Sequence, residues 1–165
     1  MKNLITILAL LSMFGCATAQ LDLPVTAGLG KSVAAGSGQF ERMGSLGLRY
    51  GDTWKVQANG GYWLAQAPGE SASAYGSLQG GLEVVGSSGL YCNFMIGPAW
   101  IQNPDAKLSG HFQFHPTFGC GVHAAGYSIG GQWMHWSNAG FIQPNLGRDM
   151  FPCLTVTIPL YRGDK

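Results

Sequence analysis

The chain has 165 residues, of which only 10% are charged and 46% hydrophobic, with 26 glycines and a formal net charge of +1. Its length allows one domain, and it is too apolar to be disordered and unusually poor in charge for a soluble fold. The balanced charge leaves no basic surplus of the kind that binds nucleic acid.

At the N-terminus, Lys2 precedes an apolar run that ends in Ala17-Thr18-Ala19, the small-x-small pattern of a signal-peptidase site. Residues 1–19 are therefore expected to be a cleaved export signal, and residues 20–165 a single mature domain. Cys16 offers a lipoprotein signal as the rival, but Met13-Phe14-Gly15 is a poor approach to one. The run is too short to span a bilayer as a helix. Removing Lys2 leaves eight basic and eight acidic residues, together with Cys92, Cys120 and Cys153. An odd cysteine count with no diagnostic spacing points to thiols packed as small apolar groups, ahead of a disulfide framework or a metal site.

From Leu21 onward apolar residues recur with a period of two, the signature of strands with one oily and one wet face. Leu21, Leu23, Val25, Ala27 and Leu29 form the first oily face, and Leu46, Leu48 and Tyr50 belong to the second. Trp54, Val56, Ala58, Tyr62 and Leu64 follow, opposed by Lys55, Gln57 and Asn59. Leu78, Leu82 and Val84 oppose Ser77, Gln79 and Glu83; next come Leu90, Cys92, Phe94 and Ile96. Phe112, Phe114, Phe118, Cys120 and Val122 oppose His111, Gln113 and His115. A seventh strand runs from Tyr127 to Ser137, and an eighth carries Leu154, Val156, Ile158 and Leu160 on one side.

Most of these strands are near ten residues, the length that crosses a bilayer when tilted. Segments 31–42, 65–73, 101–110 and 138–152 are long, whereas 51–53, 86–88 and 123–125 are short. Strict alternation of long and short connections is the habit of transmembrane barrels, with tight periplasmic turns and longer external loops. The expected fold is all-β, an eight-stranded antiparallel transmembrane β-barrel of the outer membrane. Its lumen would be filled by Gly, Gln, Ser and Asn, with Arg49 and Glu83 as possible partners. A soluble lipocalin-like barrel binding an apolar ligand is the alternative, and would turn the oily face inward.

In the seventh strand the odd positions are oily, so His135 and Ser137 share an outward face, about 7 Å apart along the backbone. Loop alternation puts them at the external end, in the outer leaflet. Polar groups at lipid depth are costly and need a reason. An enzyme acting on a lipid within the bilayer supplies one, and the acyl esters of lipopolysaccharide are the substrate class peculiar to that leaflet.

His135-Trp136-Ser137-Asn138-Ala139-Gly140, then Pro144-Asn145-Leu146-Gly147 and Asp149, resembles the H-x-S-N-A-G, P-N-x-G motif of the lipid A 3-O-deacylases of the PagL type. The resemblance implies an eight-stranded outer-membrane barrel that hydrolyses the ester-linked acyl chain at position 3 of lipid A. It implies Ser137 as nucleophile, His135 as base and Asp149 at the acidic position, where the family usually has Glu. It further implies Asn145 and the backbone N–H of Gly140 as oxyanion donors, with Asn138 helping to position the substrate.

No cofactor or metal is expected. His111 and His115 lie roughly 13 Å apart along a strand, too far for one ion, and read as lumen filling. Arg148 could meet a lipid phosphate or be a solvated loop charge. Trp54, Tyr62, Trp100, Trp133 and Trp136 fit interfacial belts. The expected partners are lipid A and outer-membrane lipid, not nucleic acid, and the oligomeric state is left open. A non-catalytic barrel serving adhesion or membrane integrity is the remaining alternative.

Overall fold

The computed structural model describes residues 20–31, 40–64, 72–105, 108–143 and 145–162; the expected leader, 1–19, lies outside the described residues. Ten strand segments follow in chain order: β1 (Gln20–Lys31), β2 (Phe40–Gly51), β3 (Trp54–Leu64), β4 (Ser73–Val85), β5 (Leu90–Ile96), β6 (Pro98–Ile101), β7 (Phe112–Phe114), β8 (Thr117–Ala124), β9 (Tyr127–Trp136) and β10 (Arg148–Arg162). All their pairings are antiparallel. β5 and β6 both pair with β4 and are two halves of one strand interrupted at Gly97, while β7 and β8 are halves of the next, interrupted at His115 and Pro116. A Cβ at Gly97 would collide with the Leu78 carbonyl, so only glycine lets the strand pass that close. Eight strands result, and the β1–β10 pairing closes them into a barrel.

The barrel is built with its apolar side out. Leu46, Leu78, Val84 and Leu154 are each more than half exposed, whereas Arg49, Lys55, Gln79 and Gln113 are buried in the lumen. A soluble barrel would do the reverse, so the exposed oily band is a lipid-facing one. Short connections at 52–53, 86–89 and 125–126 share one end with Gln20 and Arg162, and the long connections share the other.

Inside, near the short turns, two cations face two anions. Arg49 meets Glu83 at 3.1 Å and Asp22 at 3.5 Å, and Lys55 lies 3.7 Å from each of the same two carboxylates. Uncharged amides and hydroxyls fill the middle: Asn59 Nδ2 donates to Gln79 Oε1 at 2.7 Å, and Thr155 Oγ1 to Gln132 Oε1 at 2.8 Å. At the long-loop end the filling turns aromatic, with Trp136 packed on His115, Tyr75 and Trp63 at centroid distances of 4.4, 5.1 and 5.5 Å.

Four expectations are corrected. Cys92 and Cys120 are disulfide-bonded, because the β5–β8 register sets them directly opposite on one face; only Cys153 is a free thiol among the described residues. Trp136 is no belt residue, since its even position turns it into the lumen, fully buried. His111 is exposed and stacks on Trp100, while His115 does fill the lumen. The last connection is shorter than 138–152, because β10 already begins at Arg148.

Replacing Glu83 with Ala leaves the buried Arg49 and Lys55 facing Asp22 as the remaining carboxylate of the cluster. Removing one partner of a buried ion pair costs about 3–5 kcal/mol. The denaturant midpoint of the Glu83→Ala barrel in detergent micelles should fall accordingly, and an unchanged midpoint would show the four charges to be dispensable.

Candidate active site

Strand β9 alternates between lumen and lipid up to its end, so Met134 and Trp136 point inward while Trp133 and His135 are part-exposed on the outer side. The β9–β10 register sets Asp149 directly opposite His135. Their side chains meet, His135 Nδ1 donating to Asp149 Oδ1 at 2.9 Å, with 25% and 15% of the two side chains exposed. With Nδ1 committed to the carboxylate, Nε2 is the ring nitrogen left to accept a proton.

Asp149 therefore belongs to a strand. Between Met150 and Cys153 the chain advances three residues against two on β9, from Met134 to Gln132, and this bulge absorbs Phe151 and Pro152. A proline there reads as the end of pairing, yet the ladder resumes on its N-terminal side.

Ser137 stands two residues beyond His135. Its backbone N–H donates to the Phe114 carbonyl at 3.1 Å and its carbonyl accepts from the Phe114 N–H at 2.6 Å, so β7 grips the end of β9. Among the described residues the Ser137 hydroxyl takes part in no hydrogen bond.

The connection that follows is folded on its own amides. Asn138 is buried; its Nδ2 donates to the Ile142 carbonyl at 2.9 Å and its Oδ1 accepts the Gly140 N–H at 3.0 Å. The Gly140 N–H, expected to face an oxyanion, is thus engaged in the turn, where Gly140 supplies a φ of 83°. Asn145 Oδ1 accepts the Asn138 N–H at 3.3 Å, which leaves its Nδ2 without an acceptor among the described residues.

Gly147 has a packing reason. Its φ is 68°, and a Cβ on it would lie 2.8 Å from His135 Cε1, so the imidazole lies against bare backbone. Arg148, next in sequence, turns into the lumen, where it is fully buried, ion-paired to Asp105 and stacked over Trp63 at 4.8 Å. It is neither a lipid-phosphate contact nor a solvated charge.

Reading by residue type missed one partner. Trp133 Nε1 donates to the same Asp149 Oδ1 at 2.9 Å, and its ring stacks on His135 with centroids 5.7 Å apart. The signal for it was the strand parity that also set His135 and Ser137 outward.

The PagL family profile, described as lipid A 3-O-deacylase, matches residues 57–153 and so spans the whole 135–149 pattern. The chain belongs to the lipid A 3-O-deacylase (PagL) family. It is accordingly an ester hydrolase of lipid A. A crystal structure of the outer membrane enzyme PagL matches it with a TM-score of 0.67 at 23% identity, over 84% of this chain and 99% of that one. At that identity the likeness speaks for the shared barrel. No curated protein matches the sequence.

In this PagL-type deacylase, Gly147→Ala should push the His135 ring away from its backbone seat and strain a left-handed residue at once. Misplacing a reacting group by about 1 Å costs on the order of 10²-fold. Deacylation by Gly147→Ala should fall by about that factor in a barrel that still shows the heat-modifiable gel shift; full activity would mean that the ring does not depend on this seat.

Proposed function

We propose that the chain removes the 3-O-linked acyl chain of lipid A by a Ser-His-Asp mechanism worked from the lipid side of the barrel. The observation that carries this reading is the His135–Asp149 hydrogen bond of 2.9 Å on the outer face, next to Ser137. His135 Nε2 takes the proton of Ser137 as Oγ attacks the ester carbonyl, and Asp149 holds the imidazole in the required tautomer and steadies its charged form. The developing oxyanion is met by the Asn145 Nδ2 amide.

Collapse of the tetrahedral intermediate breaks the bond to the sugar oxygen. The departing 3-hydroxyl takes its proton from His135 and leaves the acyl group on Ser137. Water, giving its proton to His135, then attacks the acyl-serine, and the free fatty acid departs as Ser137 recovers its proton. No metal or cofactor is required by these steps.

Entry from lipid fits the packing. Trp136, whose neighbours on either side carry the imidazole and the hydroxyl, closes the lumen behind them with Trp63 and Tyr75. The long-loop end would face outward, which sets the site at the outer leaflet, the leaflet that holds lipopolysaccharide. Residues 1–19 would direct export and leave residues 20–165 as the mature enzyme.

Ser137→Ala should abolish release of the acyl chain, read by mass analysis of lipid A, in a barrel that still folds. His135→Ala should be equally inactive and the double variant no worse, because members of one triad act as a unit. Near-normal deacylation by Ser137→Ala would remove the serine from the mechanism. For orientation, a protease site inserted at 141–143 should be cut on intact cells and one at 87–88 protected; the opposite pattern would put the site in the wrong leaflet.

A further inference from the structure

By residue type Trp133 belongs to the belt that anchors a barrel at the membrane interface, where an indole N–H meets water or lipid head groups. Here that N–H is spent inside the protein. It donates at 2.9 Å to Asp149 Oδ1, the oxygen that also accepts His135 Nδ1 at 2.9 Å. One carboxylate oxygen therefore receives two ring N–H donors from residues two apart on β9, while the rings themselves lie nearly parallel at 17°. The bulge after Met150 lies across from Trp133, so Trp133 has no ladder partner of its own on β10.

A carboxylate held by one donor can still swing about its terminal torsion, a broad two-fold rotor. A second donor on the same oxygen fixes both the oxygen and the plane. An indole is well suited to this, because it donates only and cannot act as a competing base. Its apolar body tolerates lipid on the outer face, where a charged donor would be costly.

We propose that Trp133 is a positioning residue of the deacylase, fixing the Asp149 carboxylate through its indole N–H so that Asp149 can orient His135. This rests on the reading of Ser137, His135 and Asp149 as one catalytic unit. It predicts an effect on turnover more than on substrate binding, because the indole acts through the acid.

The test uses purified, refolded enzyme in micelles with lipid A as substrate. A hydrogen bond to a charged group is worth enough to change a rate about tenfold or more. Trp133→Phe should lower kcat by about tenfold with KM within about twofold, and replacement of Trp133 by its benzothiophene analogue, which lacks only the N–H, should do the same in an intact barrel. Asp149→Ala should be far more impaired, since neutralising the acid of such a triad costs up to about 10⁴-fold. Adding Trp133→Phe to Asp149→Ala should cost nothing further. Wild-type kcat in Trp133→Phe and in the analogue, beside an impaired Asp149→Ala, overturns this inference alone. So does a tenfold loss that persists in the Asp149→Ala background, or one confined to KM, either of which assigns Trp133 to lipid contact. Full activity of Asp149→Ala sinks the catalytic unit and this inference with it.

Discussion

In hydrocarbon a backbone N–H or carbonyl has no water to bond, so the ladder must close on itself and leave no edge. The β1–β10 pairing does this. Closure leaves each strand side chain two destinations, lumen or lipid, decided by parity. Everything else follows from that choice: an eight-stranded lumen is narrow and must be packed, so the polar face becomes its filling and the oily face its exterior. The two lumen cations and two lumen anions near the short turns are tolerable because they face one another.

Parity also lets one pair of strands serve packing and chemistry together. On β9 and β10 the inward residues Met134, Trp136, Arg148 and Met150 are all buried and belong to the packing at the long-loop end. The residues between them, Trp133, His135 and Asp149, stand on the outer side and touch one another. The packed lumen backs the strand segments that carry the polar outer cluster. Such support limits the freedom of the outer groups far better than a loop could.

Much of this was legible from residue order. Alternation gave the strands, loop lengths gave the two ends, and the odd positions of β9 gave the outward direction of His135. Arg49 and Glu83, marked as partners by their place on the wet face, do pair. What escaped depends on contacts between strands. The Cys92–Cys120 bond is a matter of register between β5 and β8, which no spacing of 28 residues reveals. Arg148 looked like a loop charge because 138–152 read as one long connection, whereas β10 already begins at Arg148. Trp136 was grouped with the belt by residue type, although its even position already turned it inward.

The placement of Asp149 changes how the site should be understood. As a loop residue its distance from His135 would vary with every motion of the connection. As the ladder partner of His135 it is held by backbone hydrogen bonds on the strand that also closes the barrel. Ser137 lies just past the β9–β10 ladder and is gripped from the opposite side, through Phe114 on β7. The imidazole thus stands where two pairings hand over, with the backbone of Asp149 held by one and that of Ser137 by the other. Among the groups proposed to act, Asn145 lies within the connection, whose shape depends on the Asn138 amide, while Ser137 stands at its start, tied to β7. Under the proposed mechanism, a site divided this way would hold the acid and base on paired strands and leave adjustment to the segment proposed to meet the developing charge on the substrate.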